Sequence, residues 1–256
     1  MKRFLLALAA FSGIGRPSDL PADTVRKPNI VYILADDLGW TDLGCQGSAY
    51  YETPNIDRLA AGGIRLTNYH NCQNCQPTRA ALLSGQYAAR TGFYTVGGVE
   101  RFDWQSRPLR PVDNQLKLPL GKVTIAQRLK SAGYATALFG KWHLGEGGGY
   151  HPQKRGFDEA VVSMGLHFDF ETHPKVPVKK GEYLADFLTD RAVDFIERHK
   201  DTPFFLYVPH FGVHASHHAK AEGNRSPRNT PASTGFRHKK PVPCGFKNSG
   251  CNQEVV

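Results

Sequence analysis

KPNIVYILADD, residues 27–37, is the stretch that decides the fold. Residues 30–35 form an almost continuous apolar run, which is typical of a strand in a parallel sheet whose two faces are covered. The run ends in Asp36 and Asp37. Because open α/β sheets bind ligands at the carboxyl ends of their strands, we predict that these two carboxylates belong to a functional site.

Helix and strand patterns alternate along the rest of the chain. Four stretches have the caps, terminal glycines or periodicity of helices: residues 53–63, 77–85, 124–133 and 183–200. Three more begin with the apolar runs of strands: residues 64–69, 135–145 and 203–208. The apolar side of the last helix is predicted to consist of Leu184, Phe187, Leu188, Val193, Phe195 and Ile196. This order predicts an α/β fold, with a mostly parallel sheet flanked by helices.

The two ends of the chain differ in composition from its middle. Lys2 and Arg3 precede an apolar run of signal-peptide length that is too short to span a bilayer. We predict that residues 1–24 are an export signal, that the protein is periplasmic or extracellular, and that no segment inserts stably into a membrane. A buried first helix is the alternative for this run.

The net charge of +9 does not indicate a nucleic-acid-binding surface. The last 42 residues hold seven Lys or Arg against two Glu, and they therefore carry more than half of the net charge. This stretch, residues 215–256, has no helix or strand period and few large apolar residues. We predict that it is a solvated, disordered tail and that nucleic acid is not a partner.

The cysteines of NCQNCQPTRAALLSG, residues 71–85, have three possible explanations. Cys72 and Cys75 could be half of a zinc site, but Cys244 and Cys251 are too far apart in sequence to form the matching pair. They could be a redox pair, but such a pair normally opens the first helix after a strand. The third explanation uses Cys75 alone, together with the residues that follow it.

Cys75-Gln-Pro-Thr-Arg79 followed by Ala-Ala-Leu-Leu-Ser-Gly85 resembles the signature of the sulfatase family, Cys-x-Pro-x-Arg and then Ala-x-Leu-x-x-Gly. The match continues on both sides, and its other parts stand in the family's order: PNIVYILADDLGWTDLGCQG, TPNIDRLAAGGIRLTNYH, GKWHLG and PFFLYVPHFGVH. The resemblance covers residues 27–214. It implies an alkaline-phosphatase-like fold and the amino-terminal part of a sulfatase catalytic domain over residues 25–214.

The resemblance also implies an activity, the hydrolysis of sulfate esters. A separate formylglycine-generating enzyme would oxidise Cys75 to formylglycine, whose hydrated aldehyde attacks sulfate in covalent catalysis. By motif match, Arg79 would hold the formylglycine and Lys141 would bind the sulfate. His143, two residues along a segment expected to be extended, would face the same way as Lys141. His214 would contact the substrate and act as general acid at the leaving oxygen.

A divalent metal is the second implied cofactor. Asp36, Asp37 and the modified Cys75 would be ligands, and oxygen ligands suit calcium or, as the alternative, magnesium. Ser163 and His167 fall where the family often contacts substrate, but they match no motif. An arylsulfatase-like assignment leaves the identity of the sulfate ester open.

The sequence departs from the family after His214. The family continues with further metal and sulfate ligands, whereas this chain has no aspartate beyond Asp201. We interpret residues 215–256 as the product of a frameshift or of natural truncation, and we expect weak metal binding and little or no turnover. Two alternatives remain: a phosphonate or phosphate monoester hydrolase on the same fold, and an inactive remnant that only binds a partner.

Overall fold

The computed structural model describes residues 26–101 and 103–221. The predicted export signal and nearly all of the predicted tail lie outside these residues. Four strands form one sheet, in which every pairing is parallel and the order is β1-β4-β2-β3. The strands are β1 (Ile30–Leu34), β2 (Ala135–Gly140), β3 (Glu159–Val162) and β4 (Phe204–Pro209). The predicted α/β class is confirmed.

Within the described residues, five α-helices accompany the sheet: α1 (Pro54–Gly62), α2 (Cys75–Ser84), α3 (Ala88–Thr91), α4 (Ile125–Ser131) and α5 (Leu184–His199). Local signals set their ends. Thr124 and Gln127 form a capping box at the start of α4, each side chain bonding the other residue's backbone N–H. At the end of α2, Gly85 adopts a left-handed conformation with φ of 64°.

The two faces of the sheet carry separate hydrophobic cores. On one face, α2 and α4 cover residues such as Tyr207 and Leu138, together with Phe157. On the other face, α5 covers Phe204, Leu206 and Val208. Burial on both faces explains why all six residues of β4 are buried and why its sequence is continuously apolar.

Two sequence expectations about local structure are wrong, and one strand of the structure was not among the predictions. Residues 64–69 form no strand, and Ile64 is 92% exposed. The short strand β3 was not expected, because its four residues carry too little pattern. On α5, Val193 is exposed and Ala192 takes its place in the apolar side. Within the described ranges, no helix has the length and apolarity required to cross a membrane.

Candidate active site

The carboxyl ends of three neighbouring strands bring predicted site residues together. Asp36 follows β1, Lys141 directly follows β2, and His214 lies in the loop after β4. The ends of β2 and β4 approach closely at Gly140, where any Cβ atom would overlap the carbonyl oxygen of Pro209. Gly140 also has φ of 136°, so the backbone there suits only glycine. This approach places Lys141 at the centre of the sheet edge.

Asp36, Arg79 and Lys141 form one buried charged cluster. Asp36 is 0% exposed, Arg79 is 0% exposed and Lys141 is 2% exposed. Arg79 donates from Nη2 to Asp36 Oδ1 at 2.9 Å, and Lys141 donates to the other oxygen, Oδ2. Arg79 also donates from Nη1 to the backbone oxygen of Lys141 at 3.0 Å. Both oxygens of the Asp36 carboxylate are therefore bonded to cationic side chains.

Cys75 is the first residue of α2, as the motif implies. The preceding residue, Asn74, has an extended backbone, and its side chain makes no capping hydrogen bond. The N–H groups in the first turn of α2 therefore do not donate to the side chain of Asn74. These N–H groups and the helix dipole favour an anion beside Cys75. Cys75 itself is buried, with 6% of its surface exposed.

A large cleft lies beside the start of α2. Its volume is about 1940 Å³, and four predicted site residues line it: Asp37, Cys75, His143 and His214. The buried cluster of Asp36, Arg79 and Lys141 is not part of the lining and lies behind it. The predicted residues thus form two groups: one lines the cleft, and the other is buried and does not line it.

Cys72 lines the same cleft, three residues before Cys75. Both are thiols in this structure, and burial raises the pKa of the Cys72 thiol. A raised pKa disfavours the thiolate that redox exchange requires. The environment of Cys72 therefore argues against a redox pair.

His143 does not lie on an extended segment, and this expectation is wrong. Its φ of 58° is left-handed, and its side chain lies at the cleft. Its Nδ1 atom is buried and has no hydrogen-bond partner in the part of the chain that the structure describes. Burial, followed by the positive charges of Lys141 and Arg79, lowers the pKa of His143 to about 4. The ring is therefore neutral near pH 7 and has one ring nitrogen that can accept a proton.

We expect this lowered pKa to make stability depend on pH. The His143 side chain takes up a proton near pH 6.5 in the unfolded chain but only near pH 4 in the folded chain. The free energy of unfolding therefore has its full value above pH 6.5 and falls as the pH is lowered towards 4. Urea unfolding measures the free energy of unfolding at pH 6.5 and at pH 4. The fall between the two pH values should be smaller in His143→Gln than in wild type, by up to about 3 kcal/mol. His210, whose pKa burial also lowers, acts in the same direction, so the difference between wild type and variant is the quantity to compare. The exposed His217→Gln is the control, and equal slopes for all three proteins would contradict the prediction.

His214 faces the cleft between two acceptors. Its Nε2 lies 3.5 Å from Asp37 Oδ2, and its Nδ1 donates to the backbone oxygen of Ala215 at 2.6 Å. His167, buried against Phe211, donates from Nε2 to the backbone oxygen of His214 at 2.9 Å. No sequence pattern could have identified this contact, because His167 lies 47 residues away from its partner.

Ser163 plays a structural part in the described chain. Its hydroxyl donates to the backbone oxygen of Glu171 at 2.7 Å, and it is not among the cleft residues. As for metals, no group of three or more His, Cys, Asp and Glu side chains within residues 26–101 and 103–221 is arranged to hold an ion. Asp36 and Asp37 are adjacent, but Asp36 pairs with Arg79 and Lys141.

Comparisons with known proteins identify the family of this chain. The N-acetylgalactosamine-6-sulfatase of Mus musculus is 36% identical over 228 residues, which cover 79% of this chain and 43% of that protein. Arylsulfatase A of Homo sapiens is 36% identical over 254 residues, covering 85% of this chain and 44% of that protein. The crystal structure of Ps i-CgsB with k-i-k-neocarrahexaose superposes with a TM-score of 0.65 at 31% identity, covering 77% of this chain and 48% of that one.

The chain therefore spans less than half the length of these relatives. The Sulfatase family model matches residues 28–241, which is most of the chain and extends beyond the described residues. With the motif at the start of α2, the charged cluster behind it and this match, the chain belongs to the sulfatase family.

Proposed function

We propose that this chain carries the sulfate-cleaving centre of a sulfatase and that Cys75, as formylglycine, is its nucleophile. The observation that carries the proposal is the position of Cys75 at the first residue of α2, on a cleft that it shares with Asp37, His143 and His214. The sulfatase names of the relatives support the same reaction class, the hydrolysis of sulfate esters.

The surroundings of Cys75 fit a formylglycine. The N–H groups at the start of α2 favour an anionic oxygen, and the buried Nδ1 of His143 lacks a partner among the described residues. Conversion is a two-electron oxidation, in which the Cβ–S bond breaks, water supplies the oxygen of the new C=O group, sulfur leaves as sulfide, and an oxidant such as dioxygen accepts the two electrons. The group supplies a hydrated aldehyde whose hydroxyl attacks the sulfur of the ester.

The chain's own residues then have distinct roles. His143, neutral near pH 7, accepts a proton at the cleft from a hydroxyl beside residue 75. His214 gives a proton to the departing alcohol oxygen, and Asp37 holds its ring. Lys141 and Arg79 supply positive charge behind the reacting atoms, which would stabilise negative charge developing on sulfate. The Lys141 ammonium has three N–H donors, so it can donate to sulfate while one of them remains on Asp36.

The donors in the described chain do not fit a calcium or magnesium ion in their present arrangement. Such ions need six or more oxygen ligands, and both oxygens of Asp36 are bonded to cations. Asp36, Asp37 and the modified Cys75 are our candidate ligands for a divalent metal. They would bind it only together with additional carboxylate ligands. We therefore assign no reaction step to a metal.

Two further proposals accompany the activity. The relatives' names point to sulfated sugars and aryl sulfates as the esters to test first. The basic and apolar start of the sequence supports export, with the formylglycine-generating enzyme as a partner before or during it.

The test is the chemical state of residue 75. Co-expressed with a formylglycine-generating enzyme, the chain is expected to contain an aldehyde at this position, seen by mass spectrometry of the tryptic peptide and by hydrazide labelling. Cys72→Ala should be labelled like wild type, and Cys75→Ala should not be labelled. Human arylsulfatase A, expressed in the same host, is the positive control. A thiol retained at residue 75 while the control is converted would refute the proposal.

A further inference from the structure

The loop that follows α3 lies beside Cys75 and is bonded to both of its neighbours in the chain. The side-chain amide of Asn74 donates from Nδ2 to Oγ1 of Thr95 at 3.3 Å. The backbone N–H of Gly97 donates to Oε1 of the buried Gln76 at 3.2 Å. Because Asn74 and Gln76 flank Cys75, these two bonds place the loop next to the residue that we propose as the nucleophile.

Asn114 also holds this loop, whose residues are 94–101. Its Oδ1 accepts from the backbone N–H groups of Tyr94 at 2.6 Å and Thr95 at 3.2 Å. Its Nδ2 donates to the backbone oxygens of Thr95 at 2.8 Å and Gly97 at 2.7 Å. Both ends of the Asn114 amide are therefore used to fix the loop, and Thr95 forms part of the cleft wall.

Arg101 is the last residue of the loop and also lines the cleft. It donates from Nη1 to the backbone oxygen of Val96 at 2.9 Å. Its side chain passes close to Gly97, where an added Cβ atom would lie 3.2 Å from Cδ of Arg101. In the described chain Arg101 belongs to none of the ion pairs, and the neighbouring carboxylate of Glu100 lies against Gly98. A guanidinium has five N–H groups, so Arg101 can bind an anion while it keeps its contact with Val96.

The charge and the size of the cleft favour a large anionic ligand. Among the described residues, its lining contains two arginines, Arg65 and Arg101, and a single carboxylate, that of Asp37. The volume of about 1940 Å³ exceeds the roughly 300–1,000 Å³ of most small-molecule sites. The cleft therefore has room for an ester that is larger than a simple aryl sulfate and carries more negative charge.

We propose that Arg101 binds a second anionic group of the substrate, a sulfate or a carboxylate that the reaction leaves intact, and thereby selects esters with two negative groups. The planar guanidinium matches either group in a bidentate contact. Arg101 is favoured over Arg65 because its loop is bonded to both neighbours of Cys75, whereas Arg65 donates to the backbone oxygen of Cys45. The inference rests on the proposed function, which places the reacting sulfate at residue 75.

The test is binding to the full 256-residue chain, measured by NMR titration, which does not depend on turnover. N-acetylglucosamine 6-sulfate is the probe with one anionic group. Glucosamine 2-N,6-O-disulfate adds a second sulfate, and the disaccharide of glucuronate and N-acetylgalactosamine 6-sulfate adds a carboxylate. Wild type is expected to bind one or both of the doubly charged probes at least about fivefold more tightly than the singly charged probe. The probe that shows this preference identifies the second group.

Arg101→Gln is expected to abolish the preference and to leave the Kd of the singly charged probe nearly unchanged. Arg65→Gln is the matched control, because it removes the same charge from the same cleft, and it should keep the preference. Both side chains are exposed, so neither substitution should affect folding.

Three results would overturn the proposal: no preference in wild type, a preference that Arg101→Gln retains, or an equal loss in Arg65→Gln. The last result would mean that the cleft attracts anions by its overall charge and not at Arg101. A thiol retained at residue 75 would refute the proposed function but would leave these differences in Kd as they are. The failure of either proposal can therefore be recognised separately.

Discussion

Asp36→Asn is expected to lower the free energy of unfolding by about 3–5 kcal/mol, the usual cost of removing one partner from a buried ion pair. Arg79 and Lys141 would each lose a charged acceptor, and neither has surface exposed to water to compensate. Domains of this size are stable by only about 5–15 kcal/mol, so much of the chain would be unfolded at moderate urea concentrations. Urea unfolding followed by circular dichroism measures the change.

A matched surface pair provides the control for this variant. Asp186 pairs with Lys220 at 2.8 Å, and both side chains are about half exposed. Asp186→Asn should cost less than about 1 kcal/mol. Adding Lys141→Met to Asp36→Asn should restore part of the loss, because it removes one of the two unpaired buried charges. Equal effects of Asp36→Asn and Asp186→Asn, or further destabilisation by Lys141→Met, would show that the buried cluster is not paired as described.

Features encoded in short stretches could be predicted from the sequence. The apolar run before Asp36 predicted a parallel strand, which is confirmed, but β1 lies at an edge of the described sheet with Val31 and Ile33 exposed and is not covered on both faces. Thr124 indicated the start of α4, where the structure has a capping box. Pro77, which fits the first turn of a helix, indicated the helix over residues 77–85, and in the structure this helix begins two residues earlier, at Cys75. In each of these cases the signal and the structure lie within a few residues of one another.

Features that depend on distant contacts could not be predicted. Lys141 lies 105 residues from Asp36 in the chain, and nothing near either residue indicates their ion pair. The family motif implies that Lys141 binds sulfate, and the structure adds an ion pair with Asp36 that the motif does not describe. The left-handed backbone at His143 likewise depends on the packing around it. Residues 64–69 have the composition of a strand, but no neighbouring strand pairs with them.

The largest expected effect on activity is that of Cys75. To measure it, residues 26–214 are fused to the part of the mouse relative that follows its aligned region, and the fusion is co-expressed with a formylglycine-generating enzyme. The fusion is expected to hydrolyse 4-nitrocatechol sulfate in preference to 4-nitrophenyl phosphate. The unfused chain is expected to release little sulfate, because both oxygens of Asp36 are bonded to Arg79 and Lys141.

In this fusion, Cys75→Ala is expected to lower kcat/KM by about 10³-fold or more, since it removes the precursor of the nucleophile. Cys72→Ala is the matched control, because Cys72 is a thiol on the same cleft three residues away, and it should leave kcat/KM nearly unchanged. Comparable losses in both variants would indicate that the pair acts together and would revive the redox interpretation. A Cys75→Ala fusion that retains full sulfate release would place the nucleophile at another residue.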